Sequence, residues 1–268
     1  FSFNLSQTTC SAELVNNANT SVRSIRECFA AKNAVLSGYL AREGLKGFEE
    51  PIDGTYGFIF AYSKGEFDRD LFLKDLGVVF ESGKLMFKVY PSCMGTHSAI
   101  VATLKLVDEN NIKPDEIERV HVKVSKGNFI LVEPVEVKRT PKSGIIAKFS
   151  VPYTSAIAIL NGTVTLSDFS DEMLSDPALI ELTAKYSCEV NQDWGRDKNE
   201  YSEVTIDTKR GSFTKLVTGP PGGLDNPMSY EDLCVKMRDC ASYAYIKRTD
   251  SALDEIQYTV EHLEELSD

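Results

Sequence analysis

Hydrophobic positions recur along this chain first at helical spacing, then at alternate residues, then at helical spacing again. From Ser21 to about Arg42, residues Val22, Ile25, Phe29, Leu36 and Leu40 fall on one helical face, and Gly44 follows in the place of a C-cap. One position breaks that stripe. Lys32 stands in line with Phe29 and Leu36, where an ammonium must either snorkel to water or meet a charged partner. The stretch EEPIDGTYGFIFAYSKGE is interrupted by Pro51, Gly54 and Gly57 before it turns aromatic, which predicts a loop and then a short buried piece. Asp68 to Leu76 predicts another short helix.

The run FKVYPSCMGTH at 87–97 then bends through Pro91 and Gly95 into SAIVATLKLVDEN, where Ile100, Leu104 and Val107 recur at helical spacing. Thr96 is the expected N-cap, which puts His97 in the first turn, where unpaired N–H groups and the helix dipole favour an anion. In EIERVHVKVSK, Val120, Val122 and Val124 alternate with His121 and Lys123, the mark of a strand with one wet face. Residues 145–161 predict a second helix, with Ser150 as cap, Pro152 in the first turn and Gly162 just past the end. Asp176 and Pro177 open a third, DPALIELTAKY. EVTIDTKRGSFTKLV reads as a hairpin turning at Lys209, Arg210 and Gly211, and GPPGG at 219–223 as a linker. Beyond it, Ser229 and Asp232 form a capping box, and Leu253, Ile256, Val260 and Leu263 mark an amphipathic closing helix.

Helices, a mixed block and helices again predict the α+β class: a discontinuous helical domain with an inserted α+β lid. The expected boundaries are 1–86 for the helical part, 87–221 for the lid, and 222–268 for helices that return to the first ones. The opening residues read as mid-helix sequence, so the N-terminal part of the helical domain is expected to be missing.

Composition narrows the partners. Hydrophobic residues make up 42% of the 268, which excludes wholesale disorder. The net charge of −11 argues against nucleic acid or an anionic membrane, so an anionic ligand would need lysines gathered locally. No apolar run approaches the roughly 18 residues of a membrane span, and no signal-peptide pattern is present. Six cysteines (Cys10, Cys28, Cys93, Cys188, Cys234, Cys240) are dispersed, without CxxC pairs or histidines at ligand spacing; reduced thiols in a cytoplasmic protein without a metal are expected. GxGxxG, Walker, GxSxG and HExxH motifs are absent.

Each candidate residue has two readings. Lys88 is a solvated lysine or an anion ligand; His97 is a hydrogen-bonded structural histidine or an acid/base group. Tyr153, in register with Ile157 and Leu160, is a core tyrosine or a donor awaiting a partner. His121 and His262 read as inert. One by one these residues define no reaction.

Their order does resemble a known family. FAAKNAVLSGYLAREGLKGFEEPIDGTYGF, FKVYPSCMGTH, AKFSVPYTSAIAILNGTVTLSDF and GPPGGLDNPMSYEDLCVKM together resemble the MmgE/PrpD family, which includes 2-methylcitrate dehydratases, cis-aconitate decarboxylases and an iminodisuccinate epimerase. The resemblance implies a helical domain with an α+β lid, a homodimer or association with a missing N-terminal half, no required cofactor, and small di- or tricarboxylates as substrates. It implies Lys32, Lys88 and Lys148 as substrate-binding residues, with His97, Tyr153 and Lys88 in the chemistry. Met94 stands where many bacterial members carry arginine. The expected activity is 2-methylcitrate-type dehydration, with cis-aconitate-type decarboxylation, or a silent carboxylate-binding or assembly fragment of a split enzyme, as alternatives.

Overall fold

Helices dominate the described part of the first 81 positions in the computed structural model, which describes residues 1–7 and 22–266; Cys10 and Ser21 lie outside the described residues. The chain divides into two compact units, 1–81 and 82–268. In the first, α1 (Ser2–Ser6) lies against α2 (Val22–Arg42). Their contact is polar: Gln7 Nε2 donates to Ser37 Oγ at 3.2 Å, and Asn33 Nδ2 donates to the Gln7 carbonyl at 3.0 Å. Phe29 and Leu36 are left exposed. Next come α3 (Phe58–Ser63) and α4 (Arg69–Leu73). The piece expected to be buried at 58–63 is an exposed helix, because its rings are served locally, with Phe58 stacked on Tyr62 at 4.6 Å. Asp68 caps α4 by accepting from the Leu71 amide at 2.9 Å, and Asp75, at φ 59°, stands just past its end, short of the predicted Leu76.

The second unit is built on α5 (Met94–Asn110), the strand β1 (Ile117–Ser125) and the short helices α6 (Val135–Arg139) and α7 (Gly144–Ala147). It continues with α8 (Val151–Asn161), α9 (Asp171–Leu174), α10 (Pro177–Ala184) and β2 (Tyr186–Asn191). The hairpin β3 (Ser202–Thr208) and β4 (Gly211–Val217) turns at Lys209 and Arg210. Strand order is β2-β1-β3-β4, with β1 parallel to β2 and antiparallel to β3. Val120, Val122, Val124, Val204 and Ile206 form the dry face, onto which α5 and α8 pack side by side. The other face carries polar pairs across the register: Arg119 with Asp207 at 2.8 Å, Lys123 with Glu203 at 3.3 Å, and His121 with Ser187 at 2.8 Å.

The expected helix over 145–161 is two, α7 and α8, separated where Ser150 takes the cap; its Oγ accepts from the Tyr153 amide at 3.1 Å and donates to the Lys138 carbonyl at 2.6 Å. Gly162, at φ +70°, ends α8. The stretch GPPGG is no free spacer, since Pro220 and Gly222 are buried. Gly222 (φ +110°) donates its amide to the Asn226 carbonyl at 2.7 Å and accepts from the Phe87 amide at 2.9 Å, and a Cβ there would sit 2.0 Å from the Phe87 oxygen. Finally α11 (Tyr230–Ser242) and α12 (Asp250–Glu261) are joined by the Arg238–Asp254 ion pair. The Ser229–Asp232 capping box forms as expected. Among the described residues no helix is long and apolar enough to cross a membrane.

Candidate functional site

The bend at 90–93 fixes the start of α5. Helix α5 begins three residues earlier than Thr96 predicts: Cys93 is the N-cap and makes no side-chain cap bond. Thr96 is turned to the bend instead, donating from Oγ1 to the Cys93 carbonyl at 2.8 Å and sharing a 2.7 Å hydrogen bond with the Ser92 hydroxyl. The Cys93 amide donates to the Lys148 carbonyl at 2.9 Å, which ties the bend to the turn after α7. Gly95 allows the helix to approach residues 126–131 closely, because a Cβ would lie 2.3 Å from Asn128 Oδ1.

His97 follows in the first turns of α5, wholly buried, with its ring edge-on to Tyr90 at 5.2 Å. Neither Nδ1 nor Nε2 has a hydrogen-bond partner. Burial, then the positive charge of Lys88 and more weakly of Lys236, pushes its pKa down to about 4; the nearby backbone of Ser92 and Tyr90 pulls the other way without completing a hydrogen bond. The imidazole is therefore neutral at ordinary pH, with one nitrogen able to donate and the other to accept. Such a group, unpaired in a dry interior, costs about 1 to 3 kcal/mol unless something else completes it.

Lys88 is exposed, and Lys236 is half-buried on α11, close enough for its charge to bear on the ring. Among the described residues neither lysine has a carboxylate within ion-pairing distance. Segment 86–88 meets the approach to α11 through the Phe87–Gly222 hydrogen bond. Two unneutralised lysines and a neutral imidazole at the start of a 17-residue helix make a setting suited to a carboxylate. Sequence reasoning missed Lys236, although it lies on the half-buried side of α11 with Leu233 and Met237, the kind of placement that singled out Lys32.

The other expected residues fall elsewhere. Lys148 is half-buried, its ammonium 5.3 Å from the centre of the Phe169 ring. Tyr153 is buried in the core, its hydroxyl donating to the Asp168 carbonyl at 2.6 Å; burial and the Asp168 charge push its pKa up. Lys32 is exposed on α2, in the first unit. Lys138, also missed, is buried behind the bend with its ammonium donating to the Phe149 carbonyl at 3.0 Å, and burial lowers its pKa. The open depression lined by Asp68, Asp70, Leu71, Leu73 and Lys74 carries the wrong charge for a carboxylate. Among the described residues no three His, Cys, Asp or Glu side chains are grouped so as to hold a metal ion.

A two-layer α+β unit with a cationic helix start is the class these features define. Residues 90–262 match the MmgE/PrpD C-terminal domain, and the chain belongs to the MmgE/PrpD family. It is 26% identical over 262 residues to a cis-aconitate decarboxylase of Aspergillus terreus, covering 92% of this chain and 53% of that protein. With the cis-aconitate decarboxylase of Mus musculus it shares 27% identity over 263 residues, 95% of this chain and 52% of the relative; with that of Homo sapiens, 26% over 258 residues, 94% and 52%. The chain thus spans about half the length of the curated relatives it matches.

Proposed function

We propose that this chain carries the carboxylate-binding part of a lyase that develops negative charge beside a carboxylate of a small tricarboxylate. The observation that carries this reading is His97: an imidazole wholly buried, unpaired at both nitrogens and flanked by two lysines that lack carboxylate partners among the described residues. A substrate carboxylate would satisfy the lysines and complete the ring. Lys88 and Lys236 hold carboxylates, and His97 gives or takes a proton; cations in a partly dry site stabilise enolate-like charge far more than they would in water. Lys32 and Lys148 are further carboxylate ligands on the strength of the family pattern. A relay role for Tyr153 would require its hydroxyl to leave the Asp168 carbonyl.

The names of the relatives favour decarboxylation of the cis-aconitate type. There the bond to the departing carboxylate breaks and carbon dioxide leaves, the electron pair spreads onto the remaining unsaturated acid, and a proton forms a new C–H bond. Dehydration of the 2-methylcitrate type is the second reading, favoured by the neutral Met94 at the first position of α5, where arginine is common in the family. It builds the same charge but starts by removing the proton and ends by losing water. Purified chain incubated with cis-aconitate, citrate and 2-methylcitrate, followed by proton NMR, separates the two by product. Thermal stabilisation by these acids without turnover would leave a carboxylate-binding module, and neither turnover nor stabilisation would sink the reading.

A further inference from the structure

Behind the bend lies a buried cation to which the proposed chemistry gives no part. Lys138, in α6, is only 8% exposed, yet among the described residues no carboxylate lies within ion-pairing distance of it. Its ammonium donates to the Phe149 carbonyl at 3.0 Å, and its own carbonyl accepts from the Ser150 hydroxyl at 2.6 Å. An ammonium kept dry by a backbone oxygen costs more than an apolar side chain of similar length would, so packing alone does not account for a lysine there.

What Lys138 holds is the turn 148–150 between α7 and α8. The Lys148 carbonyl accepts from the Cys93 amide at 2.9 Å, and the next carbonyl, that of Phe149, is the one taken by Lys138. Successive carbonyls of one turn are thus gripped from two sides, one by the bend and one by Lys138. A bond donated by an ammonium is stronger than one donated by a neutral group, which makes the second grip the firmer. Lys138 also lies near enough to Cys93 for their charges to bear on each other. Cys93 caps α5 one helical turn before His97, whereas Lys148 stands on the far side of the same Cys93 hydrogen bond. We infer that Lys138 is a positioning residue: by locking the 148–150 turn against the bend, it sets where the Lys148 ammonium stands relative to His97, and so which span of carboxylates the site accepts. This rests on the carboxylate reading above, in which Lys148 is a ligand.

The test uses the full chain with Lys138→Met and, for rescue, Lys138→Gln, which keeps a neutral donor. Amide exchange followed by NMR should show the Cys93 amide exchanging about tenfold faster in Lys138→Met, because local opening is read at the bond that opens. The Tyr153 amide, held by Ser150, which bonds only to the backbone of residue 138, should be unchanged. Titration calorimetry should show citrate bound about fivefold more weakly by Lys138→Met and succinate, which has one carboxylate fewer, bound as before; Lys138→Gln should recover most of the citrate affinity. Adding Lys148→Met to Lys138→Met should weaken citrate binding little further, since both changes remove the same contact. A lysine that serves only the fold would instead lower the urea midpoint and weaken both acids alike. That result, or an unchanged Cys93 amide, overturns the proposal. Citrate bound equally well with and without Lys138→Met overturns this role alone, whereas a parent chain that binds no citrate overturns the carboxylate reading and this role with it.

Discussion

His97 ties the stability of the fold and the proposed chemistry to one proton. Its folded pKa of about 4 lies below the ordinary 6.5, so the native state binds fewer protons than the unfolded chain between those values. Stability is thus full above pH 6.5 and is lost as pH falls through 4, by about 3 kcal/mol at most at 1.36 kcal/mol per unit. Urea midpoints at pH 7, 5.5 and 4 should show this slope, and His97→Leu should flatten it relative to the parent; an unchanged slope would mean the ring is not held neutral. Lys88→Met and Lys236→Met should each raise the KM for the active tricarboxylate tenfold or more, measured by product NMR, without lowering the stability of the free protein. Of these residues, His97 and Lys88 were legible from their places around the bend. Lys236 was not, because the fold alone brings α11 within reach of the ring. Tyr153 shows the opposite limit: periodicity foretold its burial, but not that a backbone carbonyl would take its hydroxyl.

Among the elements, caps were the most legible features. Ser150, Asp176 and Ser229 all cap where the sequence put them, since a short side-chain oxygen before an apolar run has few better uses. Ser150→Ala should cost about 2 kcal/mol, because it strips the Tyr153 amide of its acceptor and the buried Lys138 carbonyl of its donor; for a unit this size the loss is roughly 4 to 8 °C in thermal midpoint. Calorimetry would check it, and a shift under 1 °C would refute it. β1 was legible from its alternating valines. β2 was not: Tyr186 follows α10 after a single residue without turn punctuation, and its strand has no clean alternation because it lies at the sheet edge. Thr96 failed as a cap because Ser92 and the Cys93 carbonyl claim its hydroxyl.

For the whole molecule, a net charge of −11 sets an unfavourable background for any anion, so binding must come from the local lysines. A tricarboxylate at a hundredfold excess over its dissociation constant should stabilise the chain by about 2.7 kcal/mol, read as a thermal shift that Lys88→Met cuts by about half or more. The sequence pattern predicted the stripe on α2, whereas what covers such a face is decided by residues far away or on other chains. The hydrogen bond from Phe87 to Gly222 carries a different kind of consequence. The backbone enters the sheet-bearing stretch and leaves it at one spot, so everything from 88 to 221 is a closed excursion of the chain. A segment whose ends already touch can be moved between hosts by recombination with little strain at the joints, because closing the gap requires no new path for the backbone. In such an arrangement the bend, the lysine before it and the histidine after it would travel together as a single heritable cassette, while α11, with its own lysine, would stay with the host.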